Sequence, residues 1–118
     1  YEASNDLSPL ASLDPTALYG LLLIGEHITN DGLAPVAALT GLRRLDLFAE
    51  NADDGAVAHL AKLTQLETLV LTDVQLTDAG LRELLVLRGL RDIRLSGVDI
   101  TDAGVGLFKQ FPVLESVY

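Results

Sequence analysis

Apolar residues recur along this chain in one template. From Leu66 to Gly104 the sequence reads LETLVLTDVQLTDAGLRELLVLRGLRDIRLSGVDITDAG. Moved 24 places along itself, it sets Leu66, Leu69, Leu71, Leu76, Thr77, Asp78, Ala79 and Gly80 on Leu90, Ile93, Leu95, Ile100, Thr101, Asp102, Ala103 and Gly104. In Leu69-Val70-Leu71 the period of two points both leucines one way and Val70 the other, which predicts a strand. From Leu81 the spacing becomes Leu81, Leu84, Leu85, the stripe of a short helix. A fixed period of this size marks stacked units, each of which buries its apolar face only against its neighbours.

The period runs back through the chain. Leu66, Leu69 and Leu71 map onto Leu42, Leu45 and Leu47, and these onto Leu18, Leu21 and Leu23. The slot of Leu76 holds Ile28, Ala52 and Ile100, and that of Leu84 holds Val36, Leu60 and Phe108. Five strands are predicted near 19–24, 43–48, 67–72, 91–96 and 115–118, with helical segments near 30–38, 54–62, 78–87 and 102–110. Leu45, Leu47, Leu69, Leu71, Ile93 and Leu95 are predicted core.

The turn into each helix has its own slots. Thr29, Asp53, Thr77 and Thr101 are good N-caps, and Asn30, Asp54, Asp78 and Asp102 follow them, where acids favour the helix's positive end. Gly32, Gly80 and Gly104 are expected where helix backbone presses on the sheet, although the second unit reads ADDGAV and brings Gly55 one place early. Pro35 should shorten or distort the first helix. Residues 1–17 keep only Leu7, Leu10 and Leu13 in helical spacing and read as a degenerate N-terminal cap, before a repeat domain at 18–118.

With the pattern LxxLxLxxxxITDAGLxxLxxL on the page, the chain resembles the leucine-rich repeat family, and within it the short, Cys-free bacterial repeats of the ITDxGL type. The resemblance covers about Leu18 to Val117. It implies an α/β solenoid with a curved parallel sheet inside and short helices outside. It also implies a module that binds a protein partner through the concave sheet.

Composition narrows the partners. A formal net charge of -9 argues against nucleic acid, which needs clustered Lys and Arg, and against an anionic membrane surface. The longest apolar run, Leu21–Ile24, falls far short of the roughly 18 residues of a spanning helix. The chain has no cysteine, so disulfides, thiolate metal sites and a Cys nucleophile are out. It has no methionine either and starts at Tyr1, so it reads as a processed product or an excised piece. No segment reads as a signal peptide, which favours a cytoplasmic location.

On the outward side of the predicted sheet, residues form a grid with strands about 4.8 Å apart. One column is Gly20, Arg44, Thr68, Asp92 and Ser116; the next is Leu22, Asp46, Val70, Arg94 and Tyr118; the third is Ile24, Phe48, Thr72 and Ser96. Leu22, Ile24, Phe48 and Val70 adjoin one another as an apolar patch, the kind of surface that marks an interface. Arg44, Asp46, Asp92 and Arg94 flank it, and these eight residues are the expected partner-binding set. Phe48 is the anchor.

Other charges have plainer readings. Arg43, Glu67, Arg91 and Glu115 alternate in sign across adjacent strands and read as register-setting pairs. Glu26, Asp31, Glu50, Asp53, Asp54, Asp73, Asp78, Asp99 and Asp102 collect on the rim after the strands, while Arg43, Lys62, Arg88, Arg91 and Lys109 tend to the other rim. Helix dipoles favour that polarity, and a basic protein or a bound cation is the alternative. No carboxylate cage for calcium repeats along the stack, because Asp73 and Asp99 occupy different slots. No metal site and no cofactor are expected.

Catalysis has little support. His27 and His59 fall on different faces, and no Ser-His-Asp set, phosphate-cradling loop or HExxH motif occurs. Against the binding module stand a structural, self-associating role and an acidic, immunity-type antagonist of a basic toxin or enzyme. The self-associating role would use a C-terminal edge of Phe108, Phe111, Val117 and Tyr118 to form a homodimer. An unpaired strand there templates association.

Overall fold

The computed structural model describes residues 2–3, 14, 19–25 and 28–117. Its sheet runs in sequence order and is parallel throughout. Strands β2 (Gly20–Ile24), β3 (Arg44–Phe48), β4 (Thr68–Thr72), β5 (Asp92–Ser96) and β6 (Ser116–Val117) occupy the five predicted positions. Neighbouring strands among these five pair at residues 24 apart, for example Leu45 with Leu69 and Leu69 with Ile93. A further strand, β1 (Glu2–Ala3), adds to the edge from the segment read as a cap. There Glu2 lies opposite Leu22, a step of 20 rather than 24, so its pairing is out of phase with the repeats. The helical spacing at Leu7, Leu10 and Leu13 lies outside the described residues.

The strand period does what it should. Leu21, Leu23, Leu45, Leu47, Leu69, Leu71 and Ile93 are buried and join one cluster with the helical Leu33, Val36, Leu60, Leu81 and Leu84. Leu95 departs from expectation: it is only half-buried. β6 is described to Val117, opposite Ile93, and among the described residues no strand residue lies opposite Leu95 on that side. No polar side chain is buried in this core among the described residues.

Three connections begin as α-helix: α1 (Asp54–Leu60), α2 (Asp78–Glu83) and α3 (Asp102–Val105). Those of α2 and α3 tighten into 3₁₀ turns at Leu84–Val86 and Gly106–Gln110. The first connection, Asp31–Ala38, is 3₁₀ along its whole length, with Pro35 inside it. Proline lacks the N–H that an α-helix needs at that point, so the predicted distortion is present. Just before each of β2 to β5, one carbonyl takes two backbone N–H groups. Arg43 and Arg44 donate to Tyr19, Glu67 and Thr68 to Arg43, Arg91 and Asp92 to Glu67, and Glu115 and Ser116 to Arg91.

Candidate functional site

The strand register forms the predicted grid on the sheet face opposite the helices. Gly20, Arg44, Thr68, Asp92 and Ser116 lie side by side, as do Leu22, Asp46, Val70 and Arg94, and Ile24, Phe48, Thr72 and Ser96. Ile24 is 46% exposed and Phe48 37%, at directly paired positions, while Leu22 and Val70 are half-buried beside them.

Beyond the strand ends the slot reads Gly25, Ala49, Asp73 and Gly97. The N–H groups of Gly25, Ala49 and Asp73 continue the ladder, donating to the carbonyls of Phe48, Thr72 and Ser96. A cleft of about 250 Å³ opens there, lined by Ile24, Gly25, Phe48, Ala49, Glu50 and Asp73. A second hollow of about 290 Å³ is lined by Gly20, Leu21, Leu22, Arg44 and Asp46. Reading outward columns alone missed the first cleft. Its signal was two adjacent strands that both end on a large apolar outward residue, Ile24 and Phe48.

The flanking charges are not four separate contacts. Arg44 grips Asp46, two residues on and on the same face, with Nε and Nη2 at 2.8 and 3.1 Å from the carboxylate oxygens. These hydrogen bonds hold the Arg44 pKa above its ordinary value against slight desolvation, and the charges of Asp46 and Asp92 add to the effect. Arg94 meets Asp92 in the same way at 3.2 Å. The other oxygen of Asp92, Oδ1, is shielded from solvent and accepts no hydrogen bond among the described residues. Two of the register pairs are present, Arg43–Glu67 at 3.5 Å and Arg91–Glu115 at 3.9 Å; among the described residues Glu67 and Arg91 form no such pair with each other.

At the acidic rim the capping expectation needs correction. The Thr77 and Thr101 side chains cap nothing in their own helices. Instead the Thr77 backbone N–H and hydroxyl both donate to Asp54, one unit back, and those of Thr101 both donate to Asp78. Asn30 does this work in the first unit, accepting the Asp53 N–H at 2.9 Å and donating to the Asp53 carboxylate at 2.6 Å. Asp53 is a true cap, accepting from Gly55 N–H at 2.9 Å, and Thr29 accepts from Gly32 N–H at 3.2 Å. Gly80 and Gly104 are explained by the same staples. A Cβ at either position would collide with the carboxylate of Asp54 or Asp78, not with the sheet.

Both staple and cap leave carboxylates more acidic than usual. The Asp78 pKa is lowered chiefly by the Thr101 hydroxyl and then by its N–H; that of Asp53 is lowered chiefly by the Gly55 N–H and then by Asn30. Among the described residues no group of three or more His, Asp or Glu side chains is placed to hold a metal ion, and no helix is long and apolar enough to cross a membrane. His59 sits half-buried on α1, whereas His27 and Glu26 lie outside the described residues.

At the C-terminal edge, Phe111 is 4% exposed and sits within the chain's own core. Phe108 packs on it with ring centroids 6.4 Å apart. Val117 is 42% exposed, and Tyr118 lies outside the described residues.

No protein-family profile matches the chain, and no curated protein does. Solved structures do. Internalin C2 from Listeria monocytogenes superposes with a TM-score of 0.70 at 28% identity, covering 97% of this chain and 46% of that one. An internalin (inlF) from the same organism gives 0.52 at 21% identity over 99% of this chain and 47% of that one, a likeness of fold alone. The chain thus spans just under half the length of each. Repeat period, all-parallel sheet and these likenesses together define a leucine-rich-repeat solenoid of the internalin-like kind.

Proposed function

We propose that this solenoid is a protein-protein interaction module whose contact surface is the open face of the sheet. Leucine-rich-repeat domains of the internalin kind are generally protein-binding modules. The observation that carries the reading to this face is the apolar patch of Leu22, Ile24, Phe48 and Val70 on three neighbouring strands. Exposed contiguous apolar surface of this kind is where partners dock, and Phe48 is the aromatic anchor such interfaces favour. The Arg44–Asp46 and Arg94–Asp92 pairs frame the patch and supply polar rim contacts. Self-association through the C-terminal edge has less support, because Phe111 is withdrawn into the core and Phe108 is stacked upon it.

A photo-crosslinking residue at Thr72, on the open face, should trap a partner that the same residue at Glu83, on α2, does not. Against that purified partner, Phe48→Ala should weaken binding by about 1 kcal/mol or more with the melting temperature nearly unchanged. Adducts formed only from position 83, or an affinity indifferent to Phe48, would overturn the assignment.

A further inference from the structure

We propose that the cleft between Ile24 and Phe48 is a specificity subsite for a basic protein segment. It takes one apolar side chain, while an adjacent lysine or arginine of the partner sits on Glu50 and Asp73. This rests on the open-face reading above and adds to it the chemistry of the occupant.

At about 250 Å³ the cleft is below the roughly 300–1,000 Å³ of small-molecule and cofactor sites, and it has room for an apolar side chain. Its apolar walls end abruptly, since the third column continues from Phe48 to Thr72 and Ser96. Its floor is fixed by the hydrogen bonds from Gly25 and Ala49.

Charge selects the neighbour of that side chain. Glu50 and Asp73 line the cleft. The ion pairs among the described residues are Arg43–Glu67, Arg44–Asp46, Arg91–Glu115 and Arg94–Asp92, so neither lip carboxylate is in one of them. Every Arg in those pairs lies in or just before a strand, and none follows one, as Glu50 and Asp73 do. The backbone of Asp73 is left-handed, with φ 59°, and one unit on the same slot holds Gly97 at φ 67°. Glycine therefore meets the backbone requirement in the next unit. An aspartate in this conformation carries strain of order 1 kcal/mol; its carboxylate lies beside Gly97, where a Cβ would collide with it, while the residue itself lines the cleft. An unpaired acidic lip beside an apolar hollow complements a cationic residue next to an apolar one, and the net charge of -9 draws such a segment in.

The probe is a displayed library of random linear peptides, selected on the intact chain and counter-selected on Phe48→Ala. Enriched peptides should carry Leu, Ile or Phe beside Lys or Arg. A synthetic copy should shift the amide resonances of Gly25, Phe48, Ala49, Glu50 and Asp73. Its affinity should fall about tenfold or more with Phe48→Ala, and about three- to tenfold with Glu50→Gln or Asp73→Asn, with the loss shrinking in high salt. Asparagine tolerates the left-handed backbone, so Asp73→Asn removes charge without removing the turn. Peptides that shift Leu22, Arg44 and Val70 but ignore both charge-removing variants would overturn this subsite and leave the open-face reading standing. Peptides that shift only residues of α1 and α2 would overturn both.

Discussion

Asp54 accepts both the N–H and the hydroxyl of Thr77, and it has room to do so only because residue 80 has no side chain. A methyl at Gly80 would meet that carboxylate and come within 2.6 Å of Leu76 Cδ1, which is fully buried. Alanine ordinarily favours a helix over glycine by about 1 kcal/mol. Here overpacking and a displaced staple outweigh that gain, so Gly80→Ala should lower stability by about 1–3 kcal/mol in urea titration. Gly106 is the control: its Cβ would meet nothing within 4 Å, and Gly106→Ala should be neutral or stabilise by about 0.4–1 kcal/mol. The TDAG slots were plain in the sequence, yet their chemistry was not. Rules for caps describe one helix end in isolation, whereas Asp78 and Thr101 are 23 residues apart and meet only when units stack. The cleft was hidden for a related reason: Asp73 belongs to no strand column, and only the fold carries it to the lip beside Ile24 and Phe48.

At the scale of single elements, the Leu-x-Leu strands were fully legible. A period of two fixes which side chains turn to the core, and a slip of one residue would turn them all out. What periodicity leaves open is how many neighbours each element has. Leu69 and Leu95 occupy core slots of the same pattern, but Leu69 is flanked by strands on both sides and is fully buried. Among the described residues Leu95 has a strand partner only in Leu71. Leu69→Ala should therefore destabilise by about 2–5 kcal/mol, as a cavity that cannot collapse does, and Leu95→Ala by only about 1–2 kcal/mol. Equal losses in calorimetry would show that the middle of the sheet and its C-terminal side pack alike. The same distinction separates the connections: the spacing of Leu81 and Leu84 announces a helix, and Pro35 announces trouble in one. Only the stacked units show that the outcome at 31–38 is an eight-residue 3₁₀ segment.

Taken whole, the molecule is a sheet whose successive units are tied at one rim by Asn30–Asp53, Asp54–Thr77 and Asp78–Thr101. The segregation of acids to that rim was visible in the sequence, and helix dipoles explained it well enough to conceal the ties. A tie made by a carboxylate titrates. The Asp78 pKa is lower in the folded chain, first through the Thr101 hydroxyl and then through its N–H. Its contribution is thus complete above the unfolded value of about 3.9 and is lost as pH falls through the lower folded value, where the unfolded state binds more protons. Relief of repulsion among the rim acids works in the opposite direction, so the wild-type curve alone is ambiguous. Asn30 supplies the comparison, because an amide oxygen there already accepts a backbone N–H across the units. Asp78→Asn should keep the acceptor for Thr101 N–H, exchange the carboxylate bond to its hydroxyl for a weaker one, and remove one titrating tie. Urea midpoints measured from about pH 6 to about pH 2.5 should fall less steeply below pH 4 in Asp78→Asn than in the wild type. At pH 6 the variant should be the less stable of the two. If the curves instead run parallel down to the lowest pH, Asp78 does not couple protonation to the stacking of the repeats.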